Sequence, residues 1–242
     1  MREGQRKFEV RPGIAEGDAD CGVAREEAST NGRRPLIVAG SVVANEEPLA
    51  LIAFGVLQGE HRNALLVLAP RKPERFKDAE QYTEDSHQKF VRRSQLAVAS
   101  PSGATSSGEL SRLPDGVAVL LLDSIGELAS LYRIADGVFV GGSLVESGGH
   151  NILEPAAFGK VPVFGLSMEN FAEMAQRFVT AEAAIQVGSP EDAGVTWIEL
   201  LRAPERNKKM GETAKRLVEE SRGATERALA EIEKQLAAQT RN

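Results

Sequence analysis

Residues 137–155 read GVFVGGSLVESGGHNILEP. An apolar run, Gly137 to Val140, leads into four glycines within nine residues: Gly141, Gly142, Gly148 and Gly149. A segment with helical spacing then opens at Asn151. Strand, glycine-rich turn and helix in this order make the first half of a βαβ crossover. The glycines permit positive φ and let the backbone come close to a ligand. Asn151 is a good N-cap, which would leave free N–H groups and the positive end of a helix facing the space beyond the strand. That arrangement suits an anion, most simply a phosphate, with Gly141, Gly142, Ser143, Gly148 and Gly149 as the candidate phosphate loop. Glu154, one turn into the helix, is placed to accept the two hydroxyl protons of a ribose diol. A capped glycine-rich turn with no ligand has the same signature. The stretch contains no G-x-G-x-x-G, and Gly159-Lys160 is followed by Val161, so neither common nucleotide fingerprint is present.

Outward from this stretch the same alternation repeats. Apolar runs at 36–39, 64–69, 95–99, 117–122, 137–140, 161–164 and 184–187 read as strands. Most are apolar throughout, as expected of parallel strands covered on both faces. Helical spacing follows at 46–57, with Leu49, Ile52, Ala53 and Val56 on one stripe, and at 125–135, with Leu128, Leu131 and Tyr132. Further helices are expected at 168–178, 192–201 and 225–238, the last carrying Leu229, Ile232 and Leu236 on one face. The expected fold is α/β, a doubly wound parallel sheet of Rossmann-like type. Residues 1–34 read as a lead-in, 35–221 as the nucleotide-binding domain and 222–242 as a C-terminal helix. The Ser/Gly/Pro-rich stretch 101–116 reads as a surface loop.

In such a sheet, ligands sit beyond the carboxyl ends of the strands. After 64–69 come Pro70 and Arg71, whose guanidinium can grip a phosphate or a base edge with two hydrogen bonds. After 117–122 come Asp123 and Ser124, either able to cap a helix and leave the backbone of Ile125 and Gly126 open to a nucleobase. An exposed arginine and an ordinary capping turn fit these two places equally well. Gly40-Ser41 forms another small-residue turn at a helix start. His150 sits in the glycine-rich loop, where an orienting role is commoner than a catalytic one, and His61 and His87 lie in polar segments. No metal-ligand spacing and no G-x-S-x-G elbow occurs, so neither a metal site nor that kind of hydrolase is expected.

Composition sets the outer limits. The 242 residues carry a net charge of −6, which argues against a nucleic-acid partner held by a broad basic face. A chain of this length buries roughly 70–75% of its unfolded surface, enough for one large core or two small ones. The single cysteine, Cys21, cannot close an internal disulfide, so a reducing, cytoplasmic setting is expected. No apolar stretch approaches the ~20 residues of a membrane span, and MREGQRKFEV lacks the apolar core of a signal peptide.

Five stretches, in order along the chain, resemble one family. GGSLVESGGHNILEP resembles the signature of the 3-deoxy-D-manno-octulosonic acid (Kdo) transferases. Pro70-Arg71-Lys72-Pro73-Glu74-Arg75-Phe76 is similar to the family's PRHPERF, Asp123 to Leu128 to its D-(T/S)-x-G-E-L, and Gly4 to Glu9 to its G-N-x-K-F-D. Asn170-Phe171 matches the end of its G-P-H-x-x-N-F. The resemblance implies an inverting, metal-independent GT-B glycosyltransferase that moves Kdo from CMP-Kdo to a lipid A precursor in lipopolysaccharide assembly, with no cofactor. It implies that CMP is held by Pro70 and Arg71, by Ile125, Gly126 and Glu127, and by Asn151, Ile152, Leu153 and Glu154, and that Lys7 matches the lysine that stabilises the transition state. The family's general base is a Glu of an acceptor-binding domain that these 242 residues do not contain. The chain is therefore expected to be the C-terminal, donor-binding half. Contact with the lipid A precursor, and with the cytoplasmic face of the inner membrane, is expected to come through the other half.

The sequence also departs from the family. Lys72 stands where a His is usual, Val42-Val43 replace a Thr-His pair after Ser41, and Leu166-Ser167 replace Pro-His. Three other readings stay open: a CMP-binding module inactive on its own, a UDP-sugar-dependent GT-B transferase or epimerase, and a structural domain that binds no nucleotide.

Overall fold

The computed structural model describes residues 34–96 and 113–239, with side chains to residue 222 of the last helix. Lys7, the Gly4 to Glu9 motif, Cys21 and most of the 101–116 loop lie outside the described residues. Seven strands of the described residues form one parallel sheet: β1 (Leu36–Val42), β2 (Leu65–Pro70), β3 (Phe90–Arg92), β4 (Val119–Leu121), β5 (Gly137–Val140), β6 (Pro162–Phe164) and β7 (Ile185–Gln186). Their order across the sheet is β3-β4-β2-β1-β5-β6-β7, every pair parallel. The chain winds outward from β1 through β2 and then returns to β1's other side with β5. The switch point lies between β1 and β5, and there the connecting loops part to leave a crevice.

Among the described residues seven α-helices cover the sheet: α1 (Glu47–Gln58), α2 (Phe76–Asp85), α3 (Leu128–Ile134), α4 (Leu153–Ala156), α5 (Ala172–Thr180), α6 (Pro190–Arg202) and α7 (Pro204–Gln239). The strands alternate their side chains between two cores. Val38, Leu65 and Val67 pack with α3, α5 and α7 through Leu131, Phe178, Ala214 and Leu217. Ile37, Ala39, Leu66 and Leu68 pack with α1 and α6 through Phe54, Leu57 and Trp197. The Trp197 ring is fully buried, and its N–H donates to the Val138 carbonyl at 3.3 Å, tying α6 to β5. Burial on both faces is why these strands read as unbroken apolar runs.

The sequence reading is corrected in four places. The strand expected at 95–99 lies earlier, at Phe90–Arg92, and Gln95 ends a 3-10 turn, Arg93–Gln95; residues 97–99 are outside the described residues. β3 is a sheet edge, where charge is tolerated, so Arg92 does not end the ladder. The stripe expected on α1 is rotated: Ala50, Leu51, Ala53, Phe54 and Leu57 are buried, whereas Ile52 is 45% exposed. That helix is apolar nearly all round, so periodicity fixes its face poorly, and its buried arc is widened by close packing on α6. An added Cβ on Gly194 of α6 would lie 2.6 Å from the Val56 Cβ of α1. The C-terminal helix begins at Pro204 rather than at 222 and docks through Met210, Ala214, Leu217 and Val218. Finally, α2 is a helix that the sequence reading leaves unassigned.

Candidate functional site

The loops that follow β1 and β5 meet at the switch point. Beyond β5, the Gly141 N–H donates to the Gly40 carbonyl at 2.8 Å. The next three N–H groups converge on one carboxylate: Gly142 at 2.6 Å, Ser143 at 2.9 Å and Leu144 at 2.9 Å all donate to Glu46, which the Val43 N–H also reaches at 3.2 Å. Glu46 is fully buried. Burial pushes its carboxyl up from the ordinary range, and the four N–H donors work against that rise. Gly142, at φ 73°, supplies the left-handed residue that turns successive N–H groups inward, the geometry of an anion-binding nest. The candidate phosphate loop at Gly141, Gly142 and Ser143 is thus a real anion site, but its anion is the protein's own Glu46. Nothing in local sequence pairs two segments almost a hundred residues apart. The signal that was available is an acidic residue at a helix start beside the switch point.

The far end of the loop is also anchored. The N–H groups of Ser147 and Gly148 donate to the Ser167 hydroxyl at 3.1 and 2.8 Å, and that hydroxyl donates to Glu169 at 2.8 Å. Gly148, at φ 81°, also lies against Asn170: an added Cβ would stand 2.7 Å from its Cγ. The Gly149 N–H closes back on the Gly142 carbonyl at 2.7 Å. Among the described residues the N–H groups of Val145 and Glu146, at the tip of the loop, and of His150, Asn151 and Ile152, after it, have no acceptor. The Asn151 side chain accepts the Leu153 N–H at 3.1 Å, a local turn bond rather than the expected cap: Ile152 holds the N-cap position, without a side-chain cap bond, and α4 is a single turn. Local N–H groups rather than a long helix dipole are what this segment offers. Ile152 is fully buried, backbone included, so the N–H groups a ligand can reach here are those of His150 and Asn151, both half-buried.

Arg71, just past β2, is held by its backbone N–H on the Val42 carbonyl at 2.7 Å, and its side chain is exposed. Arg75, Arg92 and Arg93 each pair with a carboxylate, whereas Arg71 forms no ion pair among the described residues. Its charge is nevertheless felt by two neighbours. Burial raises the Glu154 carboxyl, and Arg71 followed by the Asn151 side chain holds it down. Burial lowers the His150 imidazole, and Arg71 lowers it further. The His150 Nε2 is buried without a partner among the described residues. Arg71, His150 and Glu154 therefore share one electrostatic neighbourhood, with Tyr132 beneath it: burial and the Glu154 charge both raise the phenol.

The loop after β4 completes the edge. Asp123 accepts the Ser94 N–H at 2.8 Å, and Glu127 accepts Arg93 at 3.0 and 2.7 Å and the Ser124 hydroxyl. Neither Asp123 nor Ser124 caps α3, contrary to expectation, because both are tied sideways to their neighbours. Both Glu127 carboxylate oxygens are engaged, so this residue braces the loop. What stays open is the segment between: Ile125 is 84% exposed, and Gly126, at φ 96°, has open space around it. Among the described residues no group of three or more His, Cys, Asp or Glu is placed to hold a metal.

Residues 109–217 match the glycosyl transferases group 1 family. The chain is 35% identical over 197 residues to the 3-deoxy-D-manno-octulosonic acid transferase of Haemophilus influenzae, covering 81% of this chain and 43% of that protein. It is 32% identical over 234 residues to the same transferase of Bordetella pertussis, covering 95% of this chain and 50% of that one. The crystal structure of the C-terminal CMP-Kdo binding domain of WaaA from Acinetobacter baumannii superposes with a TM-score of 0.69 at 27% identity, over 81% of this chain and 94% of that domain. The chain belongs to the Kdo transferase family. It spans about half the length of the curated relatives it matches. Its parallel sheet with flanking helices is the C-terminal domain of the GT-B glycosyltransferase fold.

Set within the family, the departures have structural counterparts. Val43 keeps a backbone role, donating to Glu46, while Val42 is buried. Ser167 takes a structural part at the Pro-His position, receiving two loop N–H groups, and Leu166 beside it is 68% exposed. Lys72 is exposed at the start of the 3-10 turn Pro73–Arg75.

Proposed function

We propose that this chain binds CMP-Kdo in the crevice beyond β2, β4 and β5, as the donor half of an enzyme that transfers Kdo to a lipid A precursor in lipopolysaccharide assembly. The observation that carries the reading is Arg71, an arginine without a protein partner among the described residues, sharing its field with His150 and Glu154 at the ends of the central strands. Arg71 and the N–H groups of His150 and Asn151 take the phosphate, with Ile152 buried behind them. Glu154 takes the ribose hydroxyls, and the Arg71 charge favours its ionised form against the rise that burial imposes. The Ile125-Gly126 backbone presents N–H and C=O groups to the cytosine edge, and Pro70 and Ile125 flank it. Glu127 serves the site by bracing that loop, and Lys7 is assigned to transition-state charge by resemblance alone.

In the reaction, an acceptor hydroxyl deprotonated by a Glu of the acceptor domain attacks the Kdo anomeric carbon. The bond from that carbon to the CMP phosphate oxygen breaks, with inversion. Negative charge gathers on the leaving phosphate, where a preorganised guanidinium and N–H groups lower the barrier. The lipid acceptor places the complete enzyme at the cytoplasmic face of the inner membrane as a peripheral protein; no helix among the described residues is long and apolar enough to cross it.

Calorimetric titration of this chain with CMP, with UMP and UDP as controls, tests the reading. Selective CMP binding is expected. Preference for UDP would assign the crevice to a UDP-sugar instead, and binding of none of the three would refute a preformed donor site. The chain alone is expected to show negligible turnover of CMP-Kdo, because it brings no general base.

A further inference from the structure

Glu46 and Glu47 are adjacent, both wholly buried, and differently compensated. Glu47 pairs with Arg75 at 2.9 Å. Glu46 forms no ion pair among the described residues, and its charge is met by backbone alone: Val43 and Gly142 donate to Oε2, Ser143 and Leu144 to Oε1. Four donors on two oxygens fill the accepting capacity of a carboxylate. The donors come from both loops that flank the switch point, so this one side chain joins the β1 loop to the β5 loop. Gly142 then passes the constraint onward. Its carbonyl accepts the Gly149 N–H at 2.7 Å, and an added Cβ on it would meet the His150 ring at 2.9 Å. His150, Asn151 and Glu154 follow directly.

We propose that Glu46 is a positioning residue of the donor site: its carboxylate permanently fills the anion-binding turn of the glycine-rich loop, fixes Gly142 and thereby sets His150 to Glu154, so that the donor phosphate is left to Arg71 and the later N–H groups. This rests on the donor-site reading above. A neutral amide cannot do the same work. In Glu46→Gln one oxygen becomes an NH2 that faces N–H donors, and two of the four N–H groups lose their acceptor.

The test compares wild type, Glu46→Gln and Glu46→Ala by CMP calorimetry and by amide hydrogen exchange, with and without formate. Glu46→Gln is expected to bind CMP at least about tenfold more weakly, with faster exchange at Gly142, Ser143 and Leu144. Glu46→Ala is expected to lose affinity likewise and to regain it when formate occupies the vacated space. Formate should do nothing for Glu46→Gln, whose amide fills that space; this split separates positioning by a bound anion from plain loss of stability. Wild-type affinity in a folded Glu46→Gln, or failure of formate to restore a folded Glu46→Ala, would overturn the proposal. Should Glu46→Ala not fold, Glu46→Gln decides alone. If wild type itself binds no CMP, the donor-site reading fails, and the assignment of Glu46 then stands or falls on the exchange rates of the three loop amides.

Discussion

Arg71→Ala separates binding from folding unusually well in this protein. The Arg71 side chain is exposed and unpaired among the described residues, and the bond that fixes its position, backbone N–H to the Val42 carbonyl, survives in alanine. The variant should therefore unfold within about 0.5 kcal/mol of wild type, as surface substitutions generally do. The ligand, by contrast, loses a charged hydrogen-bond partner, which costs about 1.5–3 kcal/mol and weakens CMP binding roughly ten- to a hundredfold. Arg71→Lys should recover only part of this, since an ammonium cannot hold two phosphate oxygens in one plane. A second readout needs no ligand. Arg71 is the larger of the two influences holding the Glu154 carboxyl down, so that group should titrate higher still in Arg71→Ala. The His150 imidazole should shift upward but stay below 6.5, because burial is the larger cause of its depression. The chain has three histidines, so their resonances can be assigned by single replacements and followed through a pH titration. An unmoved His150 midpoint would show that Arg71 does not share the crevice with it. Unchanged CMP affinity would remove Arg71 from the site.

Three further outcomes are expected. Arg93→Ala strands the Glu127 carboxylate in a site where both side chains are largely buried, and it should cost about 3–5 kcal/mol in urea unfolding, most of it regained in an Arg93→Met, Glu127→Leu pair. Gly194→Val forces a side chain into the contact between α6 and the Ala53 and Val56 stretch of α1, and should destabilise by about 1–3 kcal/mol in the same assay. His150 carries a pH signature: between its lowered pKa and 6.5 the unfolded chain binds a proton that the folded chain refuses. Stability should thus fall as pH drops from 6.5 toward the folded value, with no further loss from this group below it. His150→Asn should flatten that segment of the urea-midpoint profile, and an unchanged slope there would contradict the burial of the ring.

The sheet was legible because its strands are covered on both faces. Runs such as 36–39, 64–69 and 137–140 lose their alternation for that reason, and each lies within or beside a strand. Where coverage is partial the reading slipped: β3, an edge strand with two arginines following its apolar pair, was displaced. The ends of the strands were legible too, since Pro70, Arg71, Ile125, Gly126 and Asn151 to Glu154 fall on one edge of the sheet. What sequence did not offer was the bookkeeping of hydrogen bonds across it. Gly141 to Ser143 have the composition of a phosphate loop, and only the fold reveals that Glu46 already fills it.

That outcome suggests how scaffold and ligand-facing groups part in this crevice. Glu46 and Glu154 are the same residue type, and burial raises both carboxyls. Glu46 is met by four backbone donors, Glu154 by one side-chain hydrogen bond from Asn151 and the nearby charge of Arg71. Among the arginines the division repeats: Arg75, Arg92 and Arg93 are paired, and Arg71 has no ion pair among the described residues. A buried or half-buried charge without enough partners is costly to the folded chain. Glu154 and the orphaned His150 Nε2 sit where β2, β4 and β5 end, together with N–H groups that have no acceptor among the described residues. A nucleotide with a phosphate and two ribose hydroxyls supplies what each of them lacks: acceptors for Arg71 and the N–H groups, donors for Glu154. The fully satisfied groups, Glu46 and Glu127, hold the loops on which these unsatisfied ones are mounted. On the proposed donor-site reading, binding energy from the donor is directed to groups the fold leaves incomplete, while the loops that carry them are fixed before it arrives.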